Sequence, residues 1–315
     1  MNTVTTSLVP ASSRPAWRWK KALASRSAMA WPMVAPAQVL VLTVLVVPAL
    51  YVLWLSFYSS TFGKAPTFVG LANYLHVLTD GYFWRALWNT VLIIVTVVHV
   101  ELLLGLAMAL LFTSGVPAKR LLLAATLAPY AVSEVSAAAV WRFLFDPDAG
   151  PVTQAVMAMG LPPLEWSINP AHGLSLIALL SIWLHLPFTF LILYAARLSI
   201  PTELYEAARI DGATAWQSFR RITLPLLMPA ILLAALFRYI FVFRIFSEAW
   251  LLTGGGPART TEVVGVYLYL EAFRFNAFGA ASATGWVMVL VSLLLGAGYL
   301  WALRRQGRQG AGHGH

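Results

Sequence analysis

Ionisable side chains stand inside several long apolar runs of this sequence. They are His99, Glu101, Glu134, His185, Arg238 and Arg244. A charge in the hydrocarbon core of a membrane is costly, so such residues face a bundle interior, pair with one another or mark the pathway of a solute. Pairing of Glu101 or Glu134 with an arginine is the structural alternative to a pathway role, because buried charges need partners. For His99 we favour the structural role.

Residues typical of an enzyme or a metal site are missing from the sequence. The chain has no cysteine, which excludes a thiolate zinc site and a cysteine nucleophile. Gly63-Lys64 is followed by Ala65 and lacks the upstream glycine of a P-loop, and neither the HExxH nor the GxSxG spacing occurs. His313 and His315, in a glycine-rich tail, indicate a solvated end. We therefore predict no catalytic residue, no metal and no cofactor held by this chain.

The composition predicts a membrane protein. Of the 315 residues, 60% are hydrophobic and only 10% are charged, whereas a soluble domain carries about 25% charged residues. The net charge is +9, but the basic residues lie in short clusters beside apolar runs. That distribution favours membrane topology as its explanation over nucleic-acid binding.

Six apolar runs are each long enough for the ~20 residues that cross a bilayer. They cover roughly 32–57, 87–112, 121–145, 174–196, 222–246 and 281–303. We therefore predict an all-α polytopic membrane protein with six transmembrane helices. Its predicted parts are a basic N-terminal segment (1–31), a membrane domain (32–305) and a tail (306–315).

The connecting segments predict which way the chain crosses the membrane. Most of the 21 lysines and arginines lie in the N-terminal segment, the turn at 114–120, the segment 197–221 and the tail. Basic residues concentrate on the cytoplasmic side, so we predict that both termini are cytoplasmic. Loops are expected on the other side at 58–85 and 146–171. After a break of the fifth helix at Gly254, an amphipathic surface helix is expected over 261–275.

One polar segment, residues 201–221, lies between the fourth and fifth apolar runs. Its charges would each cost roughly 3 kcal/mol in lipid, so it is not a span. Its apolar residues suit one side of a helix; they are Leu204, Ala207, Ala208 and Ile210. We predict a surface helix over 203–219, begun by Pro201 and joined stiffly to the next span near Pro225. Gly212 is expected to relax the backbone and leave room for close approach. An ordinary amphipathic linker is the alternative.

The same segment carries a family pattern. In order it contains Glu206-Ala207-Ala208, Asp211-Gly212-Ala213 and Leu224-Pro225. This spacing resembles the EAA loop of permeases of binding-protein-dependent ABC importers, in their sugar-permease branch. The run from Leu252 to Pro257 is similar to the turn that the family has after its fifth span. The resemblance covers roughly residues 31–305, and the length and order of the motifs resemble the MalF-like subunit of a heterodimeric pair.

The resemblance implies a type I ABC importer permease fold in the cytoplasmic (inner) membrane of a prokaryote. It implies that segment 201–221 contains a coupling helix that docks on a dimeric ABC ATPase, which itself uses ATP and Mg. It also implies a second, homologous permease subunit, an extracytoplasmic sugar-binding protein and a sugar as substrate. The residues assigned to ATPase coupling are Glu206, Ala207, Ala208, Asp211, Gly212, Ala213, Leu224 and Pro225.

The resemblance further implies where a sugar passes. Its sugar-facing positions in the fourth and fifth spans fall on Leu184, His185, Phe188, Arg238, Phe241, Val242 and Ile245. A helix from Arg238 to Ile245 would place the last four on one face. Glu248 lies one residue from the family's usual acidic position and is assigned no role. Glu101, Glu134 and Arg244 remain possible intramembrane charges.

Three other functions compete with a sugar permease. A secondary transporter driven by an ion gradient would explain the intramembrane charges but gives the motif from Glu206 to Pro225 no role. A membrane-embedded enzyme, such as a polyprenyl glycosyltransferase, would need paired carboxylates on a loop. An ABC permease for a non-sugar solute is opposed by Asp211-Gly212-Ala213. Among sugars and their derivatives, maltose, trehalose and glycerol phosphate would all fit the branch.

Overall fold

The computed structural model describes the backbone of residues 17–311 and the side chains of residues 34–298. Within that backbone the elements are helices, apart from one short antiparallel hairpin. The chain divides after Trp54 into two units. The first contains helix α1 (Trp17–Leu55), whose apolar part is Val34–Leu55. From Trp17 onward the predicted basic segment therefore continues into the first span without a break.

The larger unit begins with a hairpin and a series of helices. Strands β1 (Tyr58–Ser59) and β2 (Thr67–Phe68) pair antiparallel. They are followed by α2 (Ala72–Thr79), α3 (Gly81–Thr113), α4 (Lys119–Leu127), α5 (Glu134–Leu144), α6 (Pro151–Ala158) and α7 (Pro170–Leu198). Both predicted outer loops thus contain a helix. The second span starts earlier than predicted because the Asp80 side chain accepts a hydrogen bond from the Tyr82 amide at 2.9 Å and caps α3.

The second half of this unit is also helical. It contains α8 (Glu203–Ile210), α9 (Ala215–Ser218), a π-helical turn (Phe219–Thr223), α10 (Leu224–Phe243), α11 (Ser247–Thr253), α12 (Val264–Tyr269), a second π-helical turn (Leu270–Arg274) and α13 (Phe278–Ala311). The predicted tail is helical as far as Ala311, and residues 312–315 lie outside the described residues.

Five helical segments of the described chain are long and apolar enough to cross a membrane. They are Val34–Leu55, Gly81–Thr113, Pro170–Leu198, Ala215–Phe243 and Phe278–Gly298. The third predicted span is not one straight helix, because Lys119–Ala131 and Glu134–Leu144 meet at 99°. Pro129 lacks an amide donor, and Ser133 is extended. If this bent pair crosses once, the predicted total of six spans holds.

The fifth span differs from the prediction at both ends. It is helical from Ala215, through the π-helical turn, to Phe243. It ends there because the last amides bond three residues back, Arg244 to Phe241 and Ile245 to Val242, and the chain then leaves the helix. The glycines that were expected to end this span instead end α11, where Gly254 has a φ of +59°.

The predicted surface helix at 261–275 is wrong. Helix α12 is buried, and Val264 and Tyr267 pack with Val77, Phe83 and Ala283. Its sequence is apolar on most sides, so several neighbouring elements can bury it. The Tyr267 hydroxyl donates a hydrogen bond to Asp80 Oδ2 at 2.8 Å, which links α12 to the start of α3.

Helices α3 and α7 pack closely at the centre of the larger unit. A Cβ atom added to Gly105 of α3 would lie 3.1 Å from Thr189 Cγ2 and 3.3 Å from the amide nitrogen of Phe190, both on α7. Glycine therefore permits the close approach of the two helices at this level. One helical turn before Gly105 stands Glu101, which the approach brings within reach of Thr189.

Candidate functional site

A cavity of about 600 Å³ opens in the larger unit between the bent pair, α7, the end of α10 and the start of α11. All seven positions expected to face a sugar line it, namely Leu184, His185, Phe188, Arg238, Phe241, Val242 and Ile245. The expected single helical face is only partly present, because α10 ends at Phe243 and Ile245 lies beyond it. The chain after the break nevertheless returns Ile245 to the same cavity.

Arg238 and Glu101 form a buried ion pair between α10 and α3. Arg238 Nε lies 2.5 Å from Glu101 Oε2, and Nη2 lies 2.8 Å from Oε1, so the contact is bidentate. Thr189 donates a third hydrogen bond to Glu101 at 3.2 Å. Neither charged side chain is more than 2% exposed. The structural alternative, pairing with an arginine, is therefore correct for Glu101, and Arg238 meets the cavity with its charge already compensated.

His185 and Glu134 face each other across part of the cavity wall. His185 Nδ1 lies 3.0 Å from the Ser181 carbonyl oxygen, which accepts its hydrogen bond one turn back on α7. This leaves Nε2 turned toward Glu134 Oε1 at 3.7 Å. Glu134 lies in the first turn of α5, where a carboxylate is favoured, directly after the bend of the third predicted span.

Two further charged residues complete the wall. Arg244, at the end of α10, lines the cavity and is exposed. Glu248 in α11 also lines the cavity and is 4% exposed, although the sequence analysis assigned it no role. Burial, and to a lesser extent the nearby Glu134 carboxylate, raises the pKa of Glu248 from 4.5 to about 7. The signal that was available is an acidic residue four positions after Arg244 in an otherwise apolar stretch.

Aromatic rings cover the remaining side of the cavity. Phe188 stacks with Tyr130, with ring centroids 6.3 Å apart and planes 24° apart. It also meets Phe241 edge to face at 6.1 Å. The cavity thus combines aromatic rings on one side with polar and charged side chains that make up about half of its lining.

The predicted coupling segment is a helix, a glycine turn and a second helix rather than one helix over 203–219. Gly212 follows α8 with a φ of +75°, and the amides of Gly212 and Ala213 bond to the carbonyls of Arg209 and Ala208. This is a Schellman ending, which favours glycine at that position. No atom lies within 4 Å of a Cβ added to Gly212, so its conformation, and not close packing within this chain, accounts for the glycine.

A capping box then starts the second helix. Thr214 Oγ1 accepts from the Gln217 amide, and Gln217 Oε1 accepts from the Thr214 amide at 2.7 Å. From there the chain is helical into the fifth span through the π-helical turn, so the coupling segment joins that span without a break. Pro201 stands one residue before the cap of α8, at Thr202, and therefore does not occupy its first turn.

A side-chain contact braces α8 against the fifth span. The Tyr205 hydroxyl and Thr223 Oγ1 lie 2.9 Å apart. The Arg197 guanidinium, at the end of α7, lies 4.4 Å above the Tyr205 ring. Tyr205 therefore links α8 to the fifth span by a side-chain contact in addition to the backbone.

The residues assigned to ATPase coupling fall into two groups. Glu206, Ala207, Asp211 and Gly212 are exposed, and Ala208 and Ala213 are half-buried. Leu224 and Pro225 instead lie within the continuous helix that begins at Ala215, away from the turn. Ile210, which was expected to share the apolar side, is 86% exposed. The exposed group is accessible to another protein, whereas Leu224 and Pro225 belong to the joint with the span.

Comparison with known proteins identifies the family. Residues 101–308 match the family described as the binding-protein-dependent transport system inner membrane component. The chain is 33% identical over 252 residues to the trehalose/maltose transport system permease protein MalF of Thermococcus litoralis, which covers 80% of this chain and 85% of that protein. It is 35% identical over 257 residues to the trehalose transport system permease protein SugA of Mycobacterium tuberculosis, covering 81% and 82%.

The fold is also shared with a solved transporter. A chain of the bacterial alginate ABC transporter, in complex with alginate pentasaccharide-bound periplasmic protein, superposes with a TM-score of 0.80 at 23% identity. The match covers 91% of this chain and 97% of that one. The expected all-α permease fold of ABC importers is thereby confirmed. This chain belongs to the family of inner membrane components of binding-protein-dependent transport systems.

Proposed function

We propose that this chain is the channel-forming subunit of an ATP-driven importer for a sugar such as a di- or oligosaccharide. The observation that carries the proposal is the cavity, in which all seven expected sugar-facing positions meet. Its aromatic rings suit the apolar faces of a sugar ring, and its polar side chains suit the hydroxyls. Two relatives that are named for transport of trehalose or of trehalose and maltose support the substrate class.

The coupling segment supports ATP hydrolysis by a partner protein as the source of energy. Its exposed turn around Gly212 is the surface that a dimeric ABC ATPase would hold, and ATP and Mg are used there and not by this chain. One chain carries one such turn, so a second, homologous permease subunit would serve the other half of the ATPase dimer. A sugar-binding protein would deliver substrate from outside the cytoplasmic (inner) membrane, with both termini of this chain in the cytoplasm.

Motion of the ATPase would be converted into alternating access by the braced segment. Closure of the ATPase dimer moves the coupling turn, and Tyr205 and the continuous helix from Ala215 carry that motion to the end of α10. The cavity wall formed by Arg238, Phe241 and Val242 is on that same helix. An ion-driven mechanism is less favoured, because the intramembrane charge of Glu101 is satisfied by Arg238.

The experiment is uptake of radiolabelled trehalose or maltose by the complete transporter in proteoliposomes that hold no ion gradient. We expect uptake that requires ATP inside and the loaded binding protein outside. Gly212→Asp should insert normally and abolish uptake, because it strains the left-handed turn and alters the exposed docking surface. Gly160, also at positive φ and open but in an outer connection, supplies the matched control Gly160→Asp, which should keep uptake. Normal uptake by Gly212→Asp would contradict the coupling role.

A further inference from the structure

The charges around the cavity disfavour the binding of negatively charged ligands. The guanidinium of Arg238 reaches the wall, but its Nε and Nη2 both donate to the Glu101 carboxylate. The partner carboxylate is fully buried, so the pair stays together without solvent. Arg238 therefore adds no net positive charge for a ligand to use, in contrast to an arginine that clamps a carboxylate or phosphate.

The open wall carries more carboxylates than free cations. Glu134 and Glu248 both line the cavity, and the guanidinium that remains beside them is that of Arg244. The further titratable group there is His185, whose Nε2 lies 3.7 Å from Glu134 Oε1. With Glu101 and Arg238 included, acidic groups outnumber guanidinium groups by one when all are ionised. An ionised carboxylate only accepts hydrogen bonds, so Glu134 and Glu248 can hold sugar hydroxyls but repel a ligand carboxylate, sulfonate or phosphate.

We propose that this site, taken as the sugar site of the proposed function, accepts uncharged polyhydroxylated sugars and rejects acidic ones, and that Glu134 and Glu248 impose the choice. Each sugar hydroxyl can donate to these carboxylates, and the aromatic wall of Phe188 and Phe241 holds the ring face. A sugar acid replaces one of those hydroxyl donors by a carboxylate and so places a like charge beside Glu134 and Glu248. Glycerol phosphate, one of the solutes that the sequence left open, is thereby excluded.

The test is direct binding to the purified permease–ATPase complex without its binding protein, so that the selectivity of the binding protein does not enter. Equilibrium dialysis is run at about pH 8, which lies above the raised pKa of Glu248, about 7. The two probes are labelled trehalose, which is uncharged, and a labelled acidic disaccharide that contains one uronic acid. We expect trehalose to bind at least about tenfold more tightly, as one unscreened like-charge contact would produce.

Variants assign the preference to the two carboxylates. In Glu134→Gln/Glu248→Gln the ratio of the two affinities should fall by at least about fivefold, mainly through better binding of the uronic acid. Glutamine still offers an acceptor, so trehalose should bind within roughly threefold of the unmodified complex. Glu165→Gln removes the same charge from an exposed position that does not line the cavity and should leave the ratio unchanged.

Each outcome decides a separate claim. Equal or tighter binding of the uronic acid by the unmodified complex would overturn the charge selection but leave a sugar site in place. An unchanged ratio in the double variant would show that the preference, if present, comes from other groups. Binding of neither sugar would remove the sugar site itself and with it this inference.

Discussion

Removing one member of the Glu101–Arg238 pair should cost more stability than removing both. Each side chain is at most 2% exposed, so Glu101→Leu leaves a guanidinium in the interior with no carboxylate to compensate it. Breaking a buried pair in this way costs about 3–5 kcal/mol. For a unit of this size that loss lowers the apparent melting temperature by on the order of 10 °C. The double replacement Glu101→Leu/Arg238→Met leaves no uncompensated charge and should recover most of the loss.

The assay is thermal unfolding of the purified transporter in lipid nanodiscs, followed by tryptophan fluorescence. The four proteins of the cycle are the unmodified chain, Glu101→Leu, Arg238→Met and the double variant, and their free-energy changes are compared for additivity. The reasoning is supported if the losses of stability are strongly non-additive and the double variant is more stable than either single variant. Two additive losses, or single losses below about 1 kcal/mol, would refute it, because the pair would then behave as an exposed ion pair.

Three further predictions concern the cavity, the helix packing and the coupling brace. Because the pKa of Glu248 is raised to about 7, the folded state binds the proton of this carboxyl more tightly than the unfolded state does. The free energy of unfolding should therefore fall by roughly 3 kcal/mol as the pH rises from 5 through 7, and Glu248→Gln should remove this pH dependence from melting curves. Gly105→Val should lower the melting temperature because its side chain meets Thr189 and the backbone of α7, whereas Gly285→Ala, whose added Cβ has only Leu268 at 3.6 Å, should have a small effect. Tyr205→Phe removes the hydroxyl that meets Thr223 and should reduce uptake per ATP hydrolysed while ATPase activity persists; unchanged stoichiometry in the uptake assay would contradict a role for this brace.

Much of the candidate site was accessible from the sequence because its residues stand on regular helices. The family resemblance implied which positions around His185 and Arg238 face a sugar, and the 3.6-residue period of α7 and α10 carries such positions to one side of each helix. Glu248 could not be predicted in this way. The helix breaks between Phe243 and Ser247, and the direction of the chain after a break depends on tertiary packing rather than on periodicity.

Other elements show why the remaining predictions failed. An apolar run is compatible with one long helix or with two short ones, so the 99° bend near Pro129 was hidden within the third predicted span. The buried helix α12 was placed at the surface because its position depends on distant partners such as Phe83 and Ala283. At Gly212 the residue type correctly indicated a special backbone, but only the φ of +75° shows that conformation accounts for it.

The bend between Ala131 and Glu134 has a consequence for what fills the cavity. Peptide groups outside a helix lack internal partners, and hydrocarbon offers them none, so such backbone persists within a membrane only against protein or water. Tyr130, in the last turn before the bend, and Val132, within it, are part of the cavity wall. If the pair crosses the bilayer as a single span, its corner must face protein or water on that side, so lipid tails are excluded from the cavity there.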